Sequence, residues 1–146
     1  WDNENYYMIG YDGASEEIRH YRVDKMLKIT PDGEKRDGKE KMKGFDLSQY
    51  SRQLFGMFGG EKIQVSLEAA NRMAGILIDR FGKDITLIPR DGSTFTAHVN
   101  VAVSPQFFGW IVSLGEEVRI TGPESVVDMM KKEVRRLADQ YKPEEN

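Results

Sequence analysis

Alternation and helical spacing are clearest in the second half of the chain. Ile63, Val65 and Leu67 alternate with polar residues as a strand does. Ala70, Met73, Ala74, Leu77, Ile78 and Phe81 then recur at helical spacing until Gly82, a residue suited to closing a helix. A short strand over 85–90 leads to Asp91-Gly92, a hairpin signal, and Phe95, Ala97, Val99, Val101 and Val103 predict the long returning strand. Ser104 is placed to cap the next helix, with Pro105 at its first position, where a missing N–H costs nothing. Phe107, Phe108, Ile111 and Leu114 supply that helix's apolar face until Gly115, an arrangement that leaves Trp110 to look outward. Val118 and Ile120 predict a last strand, and Pro123 opens a long helix with Val127, Met130, Val134, Leu137 and Tyr141 as its stripe. Apart from that last helix, the order β-α-β-β-α-β is the one that builds a ferredoxin-like sandwich.

The first half reads as shorter strands. Residues 5–12 place Tyr7, Ile9 and Tyr11 on one face, Asp12-Gly13 supplies a turn, and 18–30 predict a second strand, bent or bulged where charges crowd. Pro31-Asp32-Gly33 is a turn. Residues 34–43 are nearly all charged, with cations interleaved among Glu34, Asp37 and Glu40, which favours a solvated loop over a phosphate-binding tract. Asp46 can cap a short helix through about residue 53, with Gln49 at the reciprocal position of a capping box. In 54–60 the aromatics are expected to bury and the glycines to permit a chain reversal, so the domain boundary falls there: 1–58, β-rich with a short linker helix, and 59–146. The last four residues read as a frayed tail. The class is α+β.

Composition narrows the function classes. The chain of 146 residues is long enough for one domain or two small ones, and 39% hydrophobic with 31% charged residues is ordinary for a globular protein. A net charge of -3 argues against bulk electrostatic binding of nucleic acid and leaves only a local basic patch. The absence of cysteine excludes disulfides, thiolate metal sites and thiol nucleophiles, and fits a cytoplasmic location. No apolar run approaches the roughly 20 residues of a membrane span. No leader pattern is visible, and Trp1 in place of Met predicts a segment upstream.

Catalysis finds little support. His20 and His98 stand far apart, and no second ligand sits near either at metal-site spacing. His98 falls on the polar face of its strand, between Thr96 and Asn100. That face, with Gln64, Ser66 and Arg119, could hold a small ligand or partner, or be simply solvated or helix-covered. No phosphate-binding glycine loop, nucleophile elbow or matched carboxylate pair can be assembled. The expectation is a protein that is not an enzyme and carries no cofactor or metal.

The run Arg19-His20-Tyr21-Arg22-Val23-Asp24-Lys25-Met26 is the anomaly. Alternation puts Arg19, Tyr21 and Val23 on one side and His20, Arg22 and Asp24 on the other, so neither face is purely apolar. One reading is an internal ion-pair network, such as Arg22 with the neighbours of Asp24 or with Glu16 and Glu17; the other is an anion or nucleotide site, in which arginine offers a fork to phosphate and tyrosine stacks on a base.

Tyr6-Tyr7-Met8 followed by that run resembles the WYL domain, whose name-giving Trp-Tyr-Leu precedes an Arg-x-Phe-Arg-x-Asp-Arg-Ile-like strand. From Phe45-Asp46 through Ser104-Pro105-Gln106-Phe107-Phe108-Gly109-Trp110 to Pro123 the chain looks like the C-terminal extension that accompanies WYL domains in bacterial transcription regulators. The resemblance implies the second half of an SH3-like or Sm-like β-barrel, then a ferredoxin-like extension, in a regulator whose N-terminal winged helix-turn-helix binds DNA. It implies an effector-sensing role, with nucleotides or single-stranded nucleic acid as ligands. The residues carried over are Tyr7, Arg19, Arg22 and Lys25, with His20 inside the same strand. Tyr6, Met8 and Lys25 depart from the motif, and lysine lacks the bidentate fork. A barrel short of its first strands exposes edges that invite pairing, so a homodimer, or a first region completed by a neighbour or reduced to a packed sheet, is expected. The rival expectation is an oligomerisation or structural module without a small-molecule ligand.

Overall fold

Strand alternation in the second half closes into a four-stranded antiparallel sheet of order β4-β5-β3-β6, made of β3 (Lys62–Ala70), β4 (Thr86–Pro89), β5 (Thr94–Ala102) and β6 (Val118–Gly122). The structure is a computed structural model and describes residues 4–55 and 62–142. It divides into two compact units, Trp1–Gln49 and Tyr50–Asn146. The predicted chain reversal over 56–60 and the tail 143–146 lie outside the described residues.

In the first unit, β1 (Tyr7–Asp12) and β2 (Glu17–Arg22) pair antiparallel. The Asp12 carboxylate closes the turn by accepting from the Ala14 N–H at 3.1 Å and the Ser15 hydroxyl at 2.9 Å. The strand expected over 18–30 stops at Arg22. Beyond the Val23 N–H to Tyr6 carbonyl bond of 2.9 Å the ladder ends, because the chain turns on itself there, with the Met26 N–H bonding the Val23 carbonyl at 3.2 Å. Val23–Lys25 coil instead into a single 3-10 turn. The charged tract behind it forms turns without regular structure, and Gly38, at φ 71°, lies where a Cβ would come within 2.6 Å of the Tyr11 ring.

Asp46 caps α1 (Leu47–Gln53), its carboxylate accepting from the N–H groups of Ser48 at 2.8 Å and Gln49 at 3.0 Å. The helix crosses from the first unit into the second, where Leu54 and Phe55 are buried.

The second unit follows the predicted order: β3, α2 (Ala74–Phe81), β4, β5, α3 (Pro105–Ser113), β6, α4 (Glu124–Gln140). Three local expectations change. β3 runs on to Ala70, and the α-helix starts at Ala74, because Asn71 is tied to the β4–β5 turn: its N–H bonds the Ser93 carbonyl at 2.9 Å and its amide the Gly92 carbonyl at 3.1 Å. Trp110 packs inward, its ring 5.3 Å from Phe55 and 5.5 Å from Phe81, since those rings supply a third aromatic wall that helical spacing within α3 does not reveal. In α4 the buried residue is Val126, while Val134 is exposed, as is Tyr141 just past the helix end. The core lies between one sheet face and the helices, around Val65, Leu67, Leu77, Val99, Val101 and Phe107. The opposite, polar sheet face carries Gln64, Ser66, Glu68, Thr96, His98 and Asn100.

The β4–β5 turn has a measurable acid signature. Asp91 accepts from the backbone N–H and hydroxyl of Ser93 and of Thr94, at 2.7 to 2.9 Å, and these bonds lower its pKa from 3.8 to about 2. A depressed carboxylate contributes stability that is complete above the unfolded pKa and is lost as pH falls through the folded one. Asp91→Asn is therefore expected to flatten the fall in melting temperature between about pH 4 and pH 2. Parallel wild-type and variant slopes over that range would refute the assignment.

Candidate functional site

Cross-strand register decides which of the crowded residues meet. Tyr7 lies opposite Arg22, Ile9 opposite His20 and Tyr11 opposite Ile18, so these six share one half-buried face. The Tyr7 and His20 rings meet edge to face, 6.1 Å between centroids. The other face pairs Met8 with Tyr21 and Gly10 with Arg19, and continues to Tyr6 and Val23; its apolar members Tyr6, Met8, Tyr21 and Val23 are all exposed.

The five predicted site residues are thus divided. Tyr7, His20 and Arg22 come together. Arg19 projects from the opposite face, where its guanidinium lies 3.4 Å from the Asp12 carboxylate. Lys25 sits in the 3-10 turn at the end of β2, 3.4 Å from Asp24.

Arg22 is held as a fork. Its Nε donates to Asp24 Oδ1 at 3.0 Å and its Nη2 to Asp24 Oδ2 at 2.9 Å, while Nη2 also donates to Asn5 Oδ1 at 2.8 Å. Asp24 therefore lies between the cations of Arg22 and Lys25. The hydrogen-bonded Arg22 guanidinium, with the Lys25 ammonium in support, holds the Asp24 carboxyl below the usual carboxylate range, and the same bond raises Arg22. Hydrogen bonds from Ser15 and Ala14, and after them the Arg19 charge, lower Asp12. Asp24 and Asn5 are the participants that residue types alone did not single out. Asp24 could have been found from its place two residues past Arg22; Asn5 is reached only through the pairing of β1 with β2.

The second unit's polar face brings Ser66 opposite His98, with Oγ and Nδ1 3.0 Å apart, and Gln64 opposite Asn100. Glu68, absent from the predicted set, receives the guanidinium of Arg119 at 2.7 Å and that of Arg90. Among the described residues no three histidine or carboxylate side chains gather so as to hold a metal ion, and no helix is long and apolar enough to cross a membrane.

Residues 61–138 match the family model of the WCX domain. No curated protein matches the chain significantly. Among solved structures the chain is similar to proteasome accessory factor B/C (PafBC) of Arthrobacter aurescens, at 21% identity and a TM-score of 0.48, over 97% of this chain and 21% of that one. The chain thus spans about a fifth of the length of that structure.

Proposed function

The chain belongs to the WCX-domain family, and on that premise we propose that it pairs part of a WYL domain with a WCX extension and is the effector-sensing, non-catalytic part of a bacterial transcription regulator. In this reading the β-α-β-β-α-β unit with sheet order β4-β5-β3-β6 is a ferredoxin-like extension, and the β1–β2 hairpin belongs to an SH3-like barrel. The effector is anionic, a nucleotide or single-stranded nucleic acid. DNA is met through a winged helix-turn-helix elsewhere in the regulator, and the assembly is a cytoplasmic homodimer.

The observation that carries the reading is the convergence of the Tyr7 and His20 rings with the Arg22 guanidinium on one strand face. Rings stack on a base; a guanidinium fork takes a phosphate. Lys25 adds charge at the end of that face, while Arg19 serves only a ligand long enough to pass around the hairpin. Asp24 occupies the fork, so an incoming phosphate competes with a carboxylate. Binding then coincides with the breaking of an ion pair, and such an exchange can bias a conformational equilibrium that a neighbouring DNA-binding domain reads.

Titrating a fluorescein-labelled oligothymidylate into wild type, Arg22→Ala and Asp24→Asn tests this. Arg22→Ala is expected to weaken binding about ten-fold or more, as loss of a charged hydrogen-bonding partner does. Asp24→Asn is expected to tighten it, because the competitor loses its charge. Equal affinity in all three proteins removes the cluster from the site.

A second reading has its own observation: both teeth of the Arg22 fork are already engaged by Asp24, and Asn5 completes it. That is the geometry of an internal structural network, and it fits an oligomerisation or structural module without a small-molecule ligand. Lower stability of Arg22→Ala with no change in any ligand affinity favours it.

A further inference from the structure

A long helix laid against an edge strand leaves a seam wherever its apolar stripe is wider than the surface that covers it. In the second unit α4 lies against β6 and α3, and the seam between the three is a groove of about 540 Å³. Ile120, Val127 and Met130 are among its apolar lining. Val112 of α3 and Val134 of α4, which also line it, are 50% and 49% exposed. The volume lies within the range of roughly 300–1,000 Å³ over which small organic ligands are held, and such sites are mostly apolar with few charged groups.

Its charge is one-sided. The lining includes Arg119, Lys131 and Arg135 and no carboxylate, in a chain whose net charge is -3. Lys131 and Arg135 stand one helical turn apart on α4. Lys131 is paired with Asp128 at 2.8 Å, and Arg119 shares the Glu68 carboxylate with Arg90. The Lys131–Asp128 pair is exposed on both sides and therefore weak, so an anion arriving on an apolar carrier can take the carboxylate's place there, while Arg119 stays with the largely covered Glu68.

We propose that this groove is a binding site for a small amphipathic carboxylate, with its apolar body on Ile120, Val127 and Met130 and its charged end between Lys131 and Arg135. The site is separate from the β1–β2 hairpin and gives the second unit a ligand of its own. Charge complementarity selects the anion, and the uncovered valines select an apolar body.

The test is titration of sodium decanoate, below its micelle concentration, into the ¹⁵N-labelled chain, followed by amide chemical shifts. Saturable shifts are expected in α3, β6 and the middle of α4. 1-Decanol, with the same chain and no charge, is expected to bind about ten-fold more weakly. The double variant Lys131→Gln/Arg135→Gln should also lose about ten-fold. Both side chains are exposed, so the variant is expected to fold, and its amide spectrum reports that directly. Arg22→Ala leaves decanoate binding unchanged, which separates this site from the hairpin reading. Equal affinity for decanol and decanoate, shifts scattered over both units, or absence of saturation each overturns the proposal. So does a dimer that forms with rising protein concentration and shifts the same amides without decanoate, for then the occupant is a second copy.

Discussion

Phe55→Ala is expected to remove about 3–5 kcal/mol from the stability of the second unit, the range for truncating a buried aromatic residue. Phe55 is 4% exposed and stands at the meeting point of three other rings: Phe107 and Trp110 at 5.3 Å and Phe81 at 6.2 Å. The Arg80 guanidinium lies 3.9 Å above its face, and Arg80 also donates to the Leu54 carbonyl at 2.5 Å. One residue just past α1 thus fixes α2, α3 and a cation together. Alanine leaves a cavity walled by three rings that cannot all collapse into it, and it removes the aromatic face under the guanidinium. Guanidinium chloride unfolding followed by tryptophan fluorescence measures the loss, and Phe55→Leu should recover most of it. A loss below about 1 kcal/mol would mean that Phe55 is not the centre of this cluster.

Val126→Asp is expected to cost about 4 kcal/mol or more, while Val134→Asp costs under about 0.5 kcal/mol. Val126 is 0% exposed and belongs to the core cluster, so an ionised carboxylate there would lose its water and gain no partner. Val134 is 49% exposed, and an aspartate there keeps its water. Comparable losses at the two positions would show that α4 sits rotated about its axis from the orientation described. Circular dichroism melts of the two variants decide the matter, since helix content and the midpoint are read together.

That contrast shows where periodicity stops being informative. Along α4 a stripe through Val127, Met130 and Val134 satisfies helical spacing as well as one through Val126 and Met130 does. The choice depends on which side of the helix meets β6 and α3. Trp110 follows the same logic. Spacing within α3 leaves it outside, and only the arrival of Phe55 and Phe81 from other elements gives it a wall to pack on. In β2 the limit lay in the partner: the side chains suggested a strand to residue 30, but a strand lasts only as long as the ladder beside it, and that one ends at Tyr6.

The cluster of Arg19 to Lys25 was half legible. Alternation correctly separates Arg19 from His20 and Arg22, because side chains on an extended backbone must alternate. What it could not supply was the register that sets Tyr7 against Arg22, or the Asp24 and Asn5 oxygens that hold the guanidinium.

From residue order alone follow the strands β3 and β5, the Ser104 cap whose hydroxyl accepts the Phe107 N–H at 3.3 Å, the Asp91 turn and the order of elements in the second unit. Each rests on interactions between residues close in the chain, where backbone geometry leaves few choices. The partner of Arg22, the inward turn of Trp110, the burial of Val126 and the cationic seam beside α4 depend on residues distant in sequence. Their energies come from desolvation and contact, which exist only once the elements have been brought together.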